Sequence, residues 1–118
     1  MADPQIQQLL QAFGQLTGAA GNARASLTGA SAAMARLRDQ MQRAAVSVCS
    51  NVAEGDERDT DKDAVRFFYI AKGSIAELIT QLEIAKDARL IEPMLADRLI
   101  KEAEEIGAML GALIKARA

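Results

Sequence analysis

Cys49, the run Asp59-Thr60-Asp61-Lys62-Asp63 and the carboxylates Glu102, Glu104 and Glu105 come nearest to a reactive or metal-binding arrangement in this sequence. A nucleophilic thiol needs its pKa lowered by a neighbouring base or a helix N-terminus. Cys49 instead falls late in an expected helix, near its negative end, between Val48 and Val52, and reads as an inert, buried thiol. The acidic run resembles the opening of a calcium loop, but the required glycine is replaced by Ala64, and Ile70 stands where the closing glutamate belongs. It is better explained as an acidic helix start. The chain has no histidine, which removes Ser-His and Cys-His pairs, histidine general bases and the Glu-x-x-His pairs of di-metal bundles. Only an all-oxygen metal site is left, and the three glutamates fit a solvated face better. Gly14, Gly18, Gly21 and Gly29 lack the lysine of a phosphate-binding loop. The sequence therefore predicts no enzyme, no cofactor and no metal.

A different set of polar residues is more informative, because it interrupts apolar faces at helical spacing. Arg43, Ser47, Asn51 and Glu54 lie on one expected helix, and Gly73, Ser74 and Glu77 on the next. If these helices run antiparallel about a turn near residue 60, Arg43 falls opposite Glu77 and Ser47 opposite Gly73. Gly73 then permits close helix approach, despite a helix-propensity cost of about 1 kcal/mol. Arg43 and Glu77 can form a charge-assisted bond between the helices; such pairs set register more readily than they add stability. Ser50, Asn51 and Glu54 can bond the start of the next helix or a neighbouring chain, or fray into solvent. Arg36, Arg38 and Arg43 are candidate nucleic-acid contacts. Arg36 and Arg43 share a face, and a ring of identical chains can repeat them into a basic band; an ordinary solvated face is the alternative.

The elements that must position these residues are helices. Half of the 118 residues are apolar but only 3% are aromatic, and Ala, Leu, Ile and Met suit helix packing better than sheet packing. The periodicity predicts four helices in one domain, over about residues 4–17, 30–54, 60–88 and 93–116. Asp3 and Pro4 can open the first, whose apolar face is Ile6, Leu9, Leu10, Phe13 and Leu16. Residues 17–30 read as a loop or a loose continuation of that helix. The second carries Met34, Leu37, Met41, Ala44, Val48 and Val52, with Gly55 as an expected left-handed cap. The third opens at Thr60 as N-cap and carries Val65, Phe68, Ala71, Ile75, Leu78, Leu82 and Ala85. Pro93 opens the fourth, with Leu95, Leu99, Ala103, Ile106, Leu110 and Leu113. Four amphipathic helices with short connections predict an all-α, antiparallel up-down-up-down four-helix bundle.

More apolar surface is present than one core stripe needs. Phe67, Phe68, Tyr69 and Ile70 are consecutive and cover most of the helix circumference at about 100° per residue. Val46 and Cys49 extend the surplus to the second helix. Val46, Cys49, Phe67 and Ile70 are therefore the expected oligomer interface, with a wide core stripe as the alternative reading. The net charge of −2 gives no global attraction to nucleic acid or anionic membrane. A single cysteine fits a reducing compartment. No basic, apolar leader and no apolar run long enough for a membrane span is seen, so the expected location is cytoplasmic.

Residues 40–82 resemble the signature region of the small bacterial four-helix-bundle proteins encoded in intervening sequences of 23S rRNA genes, the S23 family. The matching residues are Arg43-Ala44-Ala45-Val46-Ser47, Ser50-Asn51-Val52-Ala53-Glu54-Gly55, Asp61-Lys62, Arg66-Phe67, Ile70-Ala71, Gly73-Ser74, Glu77-Leu78 and Gln81-Leu82. Two features depart from the family pattern. Cys49 stands where members usually have proline, and the aromatic, tryptophan-containing start is missing. The resemblance implies a bundle assembled into a homopentameric ring, with other copies of itself as the expected partner. It also implies kinship with the accessory protein of diversity-generating retroelements, which binds nucleic acid and a reverse transcriptase. That gives a second expectation: an accessory protein that binds structured RNA, or RNA and DNA, through arginines gathered on a ring.

Overall fold

The computed structural model describes residues 32–118, with side chains from residue 35 onward. The expected first helix and the segment 17–30 lie outside the described residues, as does the side chain of Met34. The rest is three helices, with no strand among the described residues: α1 (Ala32–Asp56), α2 (Asp61–Asp87) and α3 (Pro93–Arg117). They correspond to the second, third and fourth helices expected from the sequence.

Local chemistry explains most of the boundaries. Thr60 adopts extended backbone angles and its Oγ1 accepts from the Asp63 amide at 3.2 Å, so α2 begins with a side-chain N-cap. Pro93 occupies the first turn of α3, where a missing N–H costs nothing. At the end of α2 the Leu90 amide donates to the Ala85 carbonyl and the Arg89 amide to the Lys86 carbonyl. This is a Schellman closure, in which Arg89 takes the left-handed conformation usually given to glycine, with φ 57°.

Gly55 corrects the sequence expectation. It is not a left-handed cap; α1 continues through it to Asp56. Its lack of a side chain serves packing instead. A Cβ placed there would lie 2.6 Å from Cε1 of Phe68 and 3.1 Å from the Ala64 carbonyl oxygen. Phe68 is fully buried and occupies the space that glycine leaves.

Both α1 and α3 pack against α2, and no backbone contact joins α1 to α3. The core runs along α2 through Ala64, Phe68, Ala71, Ile75, Leu78, Leu82 and Ala85. It meets Met41, Ala44, Val48 and Val52 of α1, and Leu99, Ala103, Ile106, Leu110 and Leu113 of α3. Leu37, Val65 and Leu95, expected in the core, are only partly buried at its margin. Where α3 ends, Arg117 lies over the Phe68 ring, 5.7 Å from its centre, and near Asp56 and Asp61 at 3.9 and 3.7 Å. A cation there also complements the negative end of α3.

Candidate interaction groove between the first two helices

A second line of contacts joins α1 and α2 on the side away from the core. Steps of three and four place Arg43, Ser47, Asn51, Glu54 and Arg58 along one flank of the α1 segment and its following turn. Phe67, Ile70, Ser74, Glu77, Gln81 and Ile84 do the same along α2. Ser47 and Ser74 fasten the two flanks, with their Oγ atoms 2.7 Å apart. Ser74 gives its only hydroxyl proton to the Ile70 carbonyl at 3.2 Å, so Ser47 must donate across the helix pair. The Ser47 oxygen accepts in turn from Asn51 Nδ2 at 3.1 Å, and Asn51 also bonds the Ser47 carbonyl at 2.8 Å. The result is an ordered relay: amide to hydroxyl, hydroxyl to hydroxyl, hydroxyl to backbone. No carboxylate or amine enters this chain of bonds, so it orients the helices and activates no oxygen.

Three of the seven polar residues picked out by spacing thus form the inter-helix network: Ser47, Asn51 and Ser74. The other four do not. Ser47 faces Ser74 rather than Gly73, and a shift of one residue turns a helix by about 100°. Gly73 is consequently exposed, and among the described residues no atom lies within 4 Å of where its Cβ would be. The same rotation separates Arg43 from Glu77. Both are exposed, Arg43 makes no ion pair among the described residues, and Glu77 accepts from Gln81 Nε2 at 3.3 Å. Glu54 turns along α1 and pairs with Arg58.

The apolar candidates divide in a similar way. Val46 is 62% and Ile70 47% exposed. Phe67 is half-buried beneath two guanidinium groups, Arg58 at 4.7 Å and Arg66 at 5.5 Å from the ring centre. Cys49 is a half-buried free thiol, but two residues on from Ser47 it falls on the opposite flank of α1, away from the groove. Sequence reasoning missed Ile84, which is 51% exposed; its place in the repeat Ile70, Glu77, Ile84 was the available signal. It also missed Gln81, which is buried with its Oε1 unpartnered. A depression of about 580 Å³ lies against α1, lined among the described residues by Asp39, Gln42, Arg43, Val46 and Ser47.

Of the three candidate nucleic-acid arginines, Arg36 and Arg43 are exposed, while Arg38 is half-buried with Nε 3.7 Å from Asp39. No cluster of three potential metal ligands occurs among the described residues. No described helix is long and apolar enough to cross a membrane.

A family model described as 23S rRNA-intervening sequence protein matches residues 23–112. No curated protein matches the chain.

Proposed function

We propose, for a chain that belongs to the 23S rRNA-intervening sequence protein family, a non-enzymatic role as a self-associating interaction module. The observation that carries this reading is the row of exposed apolar side chains beside the α1–α2 groove: Val46, Ile70 and Ile84. They lie outside the core formed by the described residues, which therefore gives no reason for them. Removing such side chains from water is favourable by roughly 25 cal/mol per Å², and a like surface on another copy supplies the cover.

The four-helix bundle and the ring of five copies expected from the sequence belong to this proposal. Around α2, the backbones of α1 and α3 do not approach each other, as at diagonal corners of a square bundle, which leaves one corner for a further helix. A cytoplasmic setting fits the single thiol.

Sedimentation velocity over a dilution series tests the reading. A particle several times the mass of one chain, dissociating on dilution, is the expected result; a single chain at every concentration overturns it. The nucleic-acid alternative, drawn from the resemblance to retroelement accessory proteins, forms a separate arm. Tight binding of a structured RNA whose affinity falls steeply with salt, and is lost on charge reversal at Arg36 and Arg43, would favour that alternative.

A further inference from the structure

We infer that the outward rims of α1 and α2 recognise each other between copies, with Arg43 of one protomer paired to Glu77 of the partner subunit. This rests on the self-association proposed above and names the residues that direct it. Gly73 is the first observation. A glycine at an exposed position inside a helix weakens that helix, yet among the described residues nothing approaches within 4 Å of the space its side chain would fill. Packing among the described residues therefore does not account for it. A second helix arriving from outside does, since it comes closest where no side chain stands.

The second observation is charge. Residues at the same distance from the α1–α2 turn, to within one residue, carry opposite signs on the two rims: Arg43 against Glu77, Glu54 against Arg66, and Arg36 against Glu83. All six are exposed. None of these pairs is made within the chain, because the Ser47–Ser74 register turns the rims outward. An α1 laid antiparallel along the α2 of another copy, with Arg43 level with Glu77, meets an opposite charge within one residue of each of the three levels. It also brings Val46 within one residue of the level of Gly73. Complementary rims of this kind select partner and register more than they add affinity. The scheme holds for copies meeting head to tail or about a twofold axis.

The experiment is a charge swap read by sedimentation of the full chain. Arg43→Glu alone and Glu77→Arg alone each weaken self-association by about tenfold or more, and the double variant restores it. Gly73→Leu disrupts association while circular dichroism shows unchanged helicity, because the described residues leave open space at that position. An assembly that keeps its size and affinity in both single reversals and in Gly73→Leu overturns this inference and leaves self-association standing. A chain that is monomeric before any substitution overturns both.

Discussion

Gly55 and Gly73 sit one on each of two neighbouring helices, and their surroundings differ completely. At Gly55 a Cβ would stand 2.6 Å from the Phe68 ring; at Gly73 it would have nothing within 4 Å among the described residues. The first glycine is required by the inside of the molecule. It is the recess into which the core phenylalanine of α2 seats, at the end of the molecule where Arg117 closes over the same ring. The second lies beside a hydroxyl relay that already holds the helices in register, on a surface with exposed Val46 and Ile70. A helix-weakening residue thus marks close packing in one region and, in the other, open surface among the described residues.

Several substitutions can break or sharpen that contrast. The largest effect is expected at the inner contact. Phe68→Ala empties the space beside Gly55 and should cost about 3–5 kcal/mol in denaturant unfolding. A loss below about 1 kcal/mol would mean that Phe68 does not organise this end of the core. The matched pair Gly55→Ala and Gly73→Ala comes next. Gly55→Ala should destabilise by about 1–3 kcal/mol, since overpacking against the ring and the Ala64 carbonyl outweighs the gain in helix propensity. Gly73→Ala should stabilise the fold by up to about 1 kcal/mol. If the two shift the unfolding midpoint in the same direction, the contrast fails.

The smallest effect lies at the far end of α2, where the Lys86 ammonium donates to Asp97 Oδ1 at 2.6 Å. The hydrogen bond, and secondarily the charge of Asp97, holds the Lys86 pKa above its ordinary value. A raised lysine pKa stabilises the fold fully below the ordinary lysine value, and the contribution is lost as pH rises through the higher folded value. The pair is exposed, so its contribution to stability is small. Asp97→Asn should return the Lys86 titration, followed by NMR, toward the ordinary value. An unchanged titration would show that the bond is not populated in solution.

Much of the architecture was legible in the residues. Thr60 and Asp63 announced the start of α2, Pro93 announced α3, and the apolar period picked out most of the buried side chains. The candidate groove was legible only in part. Ser47, Asn51 and Ser74 were found by spacing, but Arg43 was matched with Glu77 inside the chain and Gly73 with Ser47. Both mismatches come from one cause: the facing residue across from Ser47 is Ser74, and one residue is more than a quarter of a turn. Gly55 was read as a cap because glycine after an apolar run usually is one, and nothing local discloses a phenylalanine thirteen residues away.

By itself the sequence determined where α2 and α3 begin, which stripe each helix buries and that no strand forms among the described residues, because caps, proline and apolar periodicity act within a few residues of themselves. Only the tertiary structure decided which residues of α1 and α2 meet. That pairing is set by a long-range fit, the Phe68 ring in the recess at Gly55, together with the Ser47–Ser74 bond. It leaves Gly73, Glu77 and Arg43 exposed.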